Sequence, residues 1–476
     1  MSTDATQQQK TVIRTTPILI AFLIAGFIGL FSETALNMAL GDLIQEFNVS
    51  PSTVQWLTTG YLLTLGILVP VSGLLIQWFN TRQLFIASMV FSIIGTLIAA
   101  IAPGFGILML ARVIQAIGTG LLLPLMFNTI LLIFPIHKRG ATMGLMGLVI
   151  MFAPAIGPTV SGLIIENLKW NYIFWVSLPF FVIALLFGVK YMQNVSIITK
   201  PKIDGPSIIL STIGFGGIVY GFSIVGEQGW SNAMVLSSII VGLIALFLFA
   251  VRQFNMDKPM IDLRVFKYPM FTLGLITVFI TFMVIMSSMI LLPLYLQTGL
   301  ALAAFSAGLV LLPGGVLNGI MSPVTGRIFD KFGPRGLVIP GFIIMIVMLW
   351  TLTNVTTETT IIMVVVMHSL LMIGVSMVMM PAQTNGLNQL PKKLYPDGTA
   401  LMNTLQQVSG AIGTTVAITI MSASQKSYME NAEDQFDPSA ISGSLTAGVQ
   451  DAFIFGLVLA IIGLIVSFFI RTARDQ

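Results

Sequence analysis

The chain has 476 residues, of which 56% are hydrophobic and 8% charged, against about 25% charged in an average soluble domain. That balance excludes a soluble enzyme and a disordered chain; a net charge of +4 excludes a basic nucleic-acid-binding face, and the absence of cysteine a disulfide framework and a thiolate metal site; two histidines, His137 and His368, speak against a transition-metal centre. Long unbroken apolar runs also exclude a transmembrane barrel, whose strands alternate in segments of about 10 residues.

A helix needs about 20 mostly apolar residues to cross the hydrocarbon core. Fourteen such spans are predicted, at 17–40, 53–77, 83–101, 107–133, 140–165, 171–190, 204–225, 232–251, 269–297, 303–326, 336–354, 359–382, 398–422 and 448–470. The first is too long, and lacks the small-residue site, to be a cleavable signal peptide. With the N-terminus inside, the inner segments hold 19 of the 22 Lys and Arg residues; the outer loops hold Lys169 and Lys426, and Arg112 lies within a span. Such a bias fixes both count and orientation, since an odd count would break the alternation. Trp56, Trp78, Trp170, Tyr172 and Trp230 stand at span edges, where an interfacial aromatic belt belongs. The outer loop at 423–447 carries Glu430, Glu433, Asp434 and Asp437, either a solvated acidic loop or an attractor for cations.

Two inner connections look alike. Gly73-Leu-Leu-Ile-Gln77-Trp-Phe-Asn80-Thr-Arg82 joins the second and third spans, and Gly326-Arg-Ile-Phe-Asp330-Lys-Phe-Gly333-Pro-Arg335 joins the tenth and eleventh. The repeat divides the chain into an inner N-terminal tail (1–16), a six-span unit (17–191), an inserted two-span hairpin (204–252) and a second six-span unit (269–471). Internal repeats of this kind place a transport site at the interface between units, near mid-membrane.

At these residues the chain resembles the major facilitator superfamily, in particular its fourteen-span drug:proton antiporters of the EmrB and QacA type. Arg112-Val-Ile-Gln115-Ala-Ile-Gly118-Thr-Gly120 resembles the span-four motif of proton-coupled members. Pro154-Ala-Ile-Gly157-Pro158-Thr-Val-Ser-Gly162 resembles the span-five antiporter motif, and Trp170 through Pro179 the start of span six. Phe31-Ser-Glu33-Thr-Ala-Leu-Asn37 looks most like the lincomycin/multidrug subgroup of LmrB type. The resemblance implies an all-α membrane protein with the major facilitator fold: two six-helix bundles plus an inserted two-helix hairpin. Family members usually carry Asp where this chain has Gln77, Gly at Asn80 and often Asp at Ser32, so the first inner gate departs from the pattern. The second, with Asp330 and Arg335, keeps it.

A charge at the bilayer centre costs at least ~2.5 kcal/mol, so each asks for a partner or a task. Glu33 and Arg112 fall clearly inside spans, and at 1.5 Å per residue their depths agree within about 3 Å. They are expected to face one cavity, with Glu33 as proton carrier and Arg112 its charge partner; the other reading is a permanent pair that only holds helices together. Asn37, one turn beyond Glu33, and Gln115, three residues past Arg112, are expected to point the same way, with Tyr61 on span two. In the second unit His368, Asn403, Gln406 and Gln407 are the polar candidates for the cavity; a lone membrane histidine is also a common packing residue. Pro154, Gly157, Pro158 and Gly162 permit a bend and close packing, which the family reading assigns to sealing the outer half. Gly73, Arg82, Gly326, Asp330, Gly333 and Arg335 form the expected inner gate, with Asp330 binding either a neighbouring helix N-terminus or Arg335. The 28 Met and 33 Phe suit a pocket that repacks around different ligands.

No Gly-x-x-x-x-Gly-Lys-Ser/Thr, His-Glu-x-x-His or Gly-x-Ser-x-Gly sequence occurs, so neither ATP-driven pumping nor the usual hydrolase chemistry is expected. The expectation is proton-coupled export of lipophilic, often cationic drugs from a bacterial cell by alternating access. It needs no cofactor beyond the proton and no nucleic acid. A monomer in the lipid bilayer suffices, an outer partner subunit being left open. A dedicated exporter or flippase of an endogenous amphiphile, an importer and a non-transporting sensor are the alternatives.

Overall fold

A computed structural model describes residues 15–472 apart from 197, 202, 258 and 431–437. Among them are fifteen α-helices: α1 (Thr15–Ala35), α2 (Leu40–Phe47), α3 (Pro51–Trp78), α4 (Thr81–Ala100), α5 (Phe105–Ile133), α6 (Ile136–Asn167), α7 (Tyr172–Tyr191), α8 (Gly205–Gln228), α9 (Ala233–Asn255), α10 (Pro269–Leu294), α11 (Ala304–Phe332), α12 (Arg335–Leu352), α13 (Ile361–Asn388), α14 (Tyr395–Glu430) and α15 (Pro438–Ser467). All but α2 are long. Thirteen long helices are apolar enough to cross a membrane. The other, α14, carries Asn403, Thr404, Gln406, Gln407 and Ser409 within one stretch and stands against α10 and α15 of its own unit and α3 of the other.

Local chemistry sets the helix ends. Ser50 and Asp204 accept backbone N–H bonds at the starts of α3 and α8, each followed by a proline in the first turn. Asn80 and Gln83 form a capping box at α4. Gly333, with φ +78°, ends α11 in a backbone conformation that disfavours a side chain.

The first predicted span does not run unbroken to residue 40. α1 stops at Ala35, a 3₁₀ turn covers Leu36–Ala39, and α2 follows. A second 3₁₀ turn, Leu263–Lys267, precedes α10, and a third, Lys392–Leu394, precedes α14.

Two seams join the units. α6 lies along α11, and α3 along α14. Glycine makes both approaches possible. A Cβ at Gly326 would strike the Gly140 backbone, one at Gly144 the Ser322 backbone, and one at Gly73 would sit 3.0 Å from the Ala400 Cβ. Gly73 and Gly326 hold corresponding places in the sequence repeat, so the repeat recurs in the packing. The hairpin α8–α9 joins the second seam: α8 packs on both α3 and α14. The acidic outer-loop residues Glu433, Asp434 and Asp437 and the tail before residue 15 lie outside the described residues.

Candidate functional site

Arg112 is fully buried on α5. Its guanidinium donates to the carbonyls of Ser32 (3.0 Å) and Glu33 (3.3 Å), to the Leu57 carbonyl at 3.4 Å and to Gln115 Oε1 at 3.0 Å. Ser32 and Glu33 lie in the last turn of α1, where it passes into the 3₁₀ turn, and Arg112 binds their carbonyls from a neighbouring helix. Tyr61 lies beneath the guanidinium, its ring centroid 4.2 Å from Cζ, and donates to Thr119 Oγ1 at 2.8 Å. Gln115 Nε2 donates to Thr96 Oγ1 at 2.9 Å. The guanidinium is thereby held by α1, α3 and its own helix.

Glu33 is half-buried beside this group and feels the charge of Arg112. Among the described residues no carboxylate lies within 4.0 Å of the guanidinium. The two charges therefore share a site without a direct ion pair. Arg112 holds the backbone of Ser32 and Glu33 and not the Glu33 carboxylate.

Other sequence candidates fall differently. Asn37 does not continue the Glu33 face, because the 3₁₀ turn breaks the i to i+4 register; it is exposed, and its Oδ1 accepts from Thr58 on α3 at 2.9 Å. Gln115 and Tyr61 are buried supports of Arg112 rather than free cavity groups. In the second unit Asn403 donates to the Thr399 carbonyl on its own helix. His368 is buried against Gly314, its Nδ1 without a partner, as is Gln406 Nε2; Gln407 is half-buried. Among the described residues none of these four bonds to Glu33 or Arg112. Gly157 on α6 packs against Thr34, and Gly162 approaches Met38, so the glycines of the span-five motif face the end of α1; Pro154 and Pro158 lie on the same helix. α6 runs unbroken as an α-helix through these prolines.

The end rich in Lys and Arg is closed. The Asp330 carboxylate accepts from the backbone N–H of Gly140 (2.7 Å) and Ala141 (2.8 Å) near the start of α6, which takes the helix-terminus alternative and not Arg335. Arg335 donates to the Phe468 carbonyl at 3.0 Å, past the end of α15. Arg82 makes the corresponding bond at 2.7 Å to Val189, in the last turn of α7. Each arginine starts the third long helix of its unit and holds the end of the sixth.

Arg139 joins the two units at this end, and sequence reasoning passed over it as one more inner cation. It is 4% exposed and bonds to Asn388 Oδ1 at 2.8 Å on α13 and to the Tyr395 hydroxyl at 3.0 Å on α14. Its signal was position: a cation in the first turns of a helix opposes the dipole and needs another reason to be there.

The model of the Major Facilitator Superfamily matches residues 22–414. The chain belongs to the major facilitator superfamily. Within it, the chain is 71% identical to the lincomycin resistance protein LmrB of Listeria monocytogenes, across 100% of both chains. It is 65% identical to the LmrB protein of Bacillus subtilis, over 99% of this chain and 98% of that one. The probable multidrug resistance protein EmrY of Escherichia coli is 26% identical over 90% and 85%. Among solved structures, the human organic anion transporter MFSD10 superposes with TM-score 0.69 at 12% identity, covering 95% of this chain and 99% of that one. The proton:xylose symporter XylE does so with TM-score 0.64 at 14% identity, covering 96% of each. Both share the facilitator fold, and the chain is a multi-pass membrane transporter of this superfamily, not an enzyme.

Proposed function

We propose that this facilitator exports lipophilic drugs, lincosamides among them, from a bacterial cell in exchange for protons. Glu33 carries the proton, and the basic end faces the cytoplasm. The observation that carries the proposal is the buried Arg112 that fastens the end of α1 through backbone carbonyls while the Glu33 carboxyl beside it stays outside any ion pair. A permanent structural pair would show the opposite arrangement. The full-length likeness to proteins named for lincomycin resistance supplies the substrate class.

The proposed cycle has three stages. With the basic end closed, Glu33 takes a proton from the opposite side. Opening of the two seams exposes the cavity to the cytoplasm, the proton leaves, and the drug binds in its stead. Return with the drug closes Asp330 and Arg139 again. A pH unit supplies ~1.4 kcal/mol per proton, and 100 mV adds ~2.3 kcal/mol per net charge moved; a neutral drug exchanged for one proton therefore draws on both.

Proteoliposomes with a trapped pH dye and an inside-acid gradient test this, using a panel of lipophilic cations and lincosamides. Drug-triggered proton release in wild type and its loss in Glu33→Gln are expected. Release that survives in Glu33→Gln removes Glu33 from coupling. Silence to every drug in folded protein points to a dedicated amphiphile transporter instead.

A further inference from the structure

Gln77 stands where the corresponding position of the second unit carries Asp330, and its surroundings explain the difference. Asp330 reaches the start of α6, beside Arg139. Gln77 reaches the start of α14, where the corresponding residue is Asp397. Gln77 Nε2 donates to Asp397 Oδ1 at 3.4 Å. An aspartate at 77 would set two carboxylates face to face.

Asp397 is 4% exposed. Its Oδ1 also accepts from the backbone N–H of Asp262 at 3.2 Å. Among the described residues no cation lies within 4.0 Å of it. The neighbouring charges are Asp262 and Arg264 on the linker, already paired with each other at 2.8 Å; Lys392 and Lys393, just before the helix, are exposed. α3 presents only the neutral Gln77. Asp397 precedes the apolar stretch predicted from residue 398, and burial pushes its carboxyl up to about 7, the Asp262 N–H bond opposing. A first-turn acid favours the helix dipole when ionised, but a buried carboxylate without a counter-cation is the costlier condition.

We propose that Asp397 is a gating residue which holds a proton while the seam between α3 and α14 is closed and releases it when the seam opens. This rests on the alternation proposed above and adds a site to it. The proton leaves to, and returns from, the compartment at the basic end. It therefore adds nothing to the number of protons exchanged per drug; it sets how the pH of that compartment weights the closed and open states. The closed form binds the extra proton, so its advantage is complete below the ordinary Asp range and fades as pH rises to about 7.

The chain has no cysteine, so a labelled pair is clean. Lys190→Cys and Gly336→Cys put spin labels on exposed positions at the basic end of the two units, and distances are measured without drug in nanodiscs at pH 5, 6, 7 and 8. The ratio of wide to narrow separations is expected to rise by up to tenfold per pH unit between 5 and 7, then level. Asp397→Asn is expected to stay narrow at every pH. Gln77→Asp, a second variant should the first misfold, is expected to enlarge the wide population at pH 8. A wild-type ratio that does not move, a wild-type slope retained by Asp397→Asn, or a profile unchanged in Gln77→Asp overturns the proposal. Failure of drug-triggered proton release would overturn antiport and leave these distances unaffected.

Discussion

Arg112 is the residue on which the site depends, through its shape more than its charge. A guanidinium reaches several acceptors at once; an ammonium of the same charge is a point donor on a flexible stem. Arg112→Lys should lose at least two of the four hydrogen bonds that the guanidinium makes to Ser32, Glu33, Leu57 and Gln115, costing on the order of 2–5 kcal/mol. A thermal midpoint in detergent close to wild type would refute that. Glu33 and Arg112 were both legible in the sequence, because charge inside an apolar span is rare and demands a reason. Their mutual geometry was not: depth alone could not distinguish a carboxylate partner from a carbonyl partner. Nor could it reveal that α1 stops at Ala35, which moves Asn37 off the expected face. His368, Gln406 and Gln407 were chosen by residue type, and type does not say which way a helix turns its polar side chains.

At the scale of helices, the sequence repeat becomes a pair of glycine-lined seams. Gly326→Ala puts a methyl group into the Gly140 backbone; overpacking of this kind costs about 1–3 kcal/mol, charged here to the closed state. Alkylation of a single cysteine at Ser322, buried in the same seam, should then speed up about 5- to 150-fold. An unchanged rate would mean that the seam absorbs the methyl without opening. Arg82 and Arg335 are exposed, so their helix-end bonds are weak individually; alanine at either should cost no more than about 1 kcal/mol by thermal unfolding. The hairpin has its own clasp. Arg252 grips Asp204 at 2.6 and 2.7 Å and holds its carboxyl below the usual carboxylate range. A depressed carboxyl contributes above its ordinary value, near 3.9, and loses that contribution only as pH falls well below it. A spin label at Asn255 should therefore give the same line shape at pH 5 and 8 and become mobile in Arg252→Ala; a change between pH 5 and 8 would show that the clasp is not what holds this end.

Across the molecule, the two seams differ in one respect. The seam of α6 and α11 closes on glycine and Asp330, while Arg139 ties the start of α6 to α13 and α14. The seam of α3 and α14 has a third party: the Thr415 hydroxyl donates to the Phe222 carbonyl at 2.7 Å, Trp230 Nε1 donates to Thr419 at 2.8 Å, and Val219 lies against Gly66. α8 is thus fastened to α14 through its last turns and packed on α3 through its middle. The inserted hairpin was visible in the sequence as two surplus apolar spans, but hydropathy carries no information about which flank they would occupy. A bundle that rocks within a fluid bilayer must avoid drawing acyl chains into the cleft it opens. On this flank a helix that belongs to neither repeat touches both, so in the proposed cycle the cleft is to widen toward water and not toward lipid.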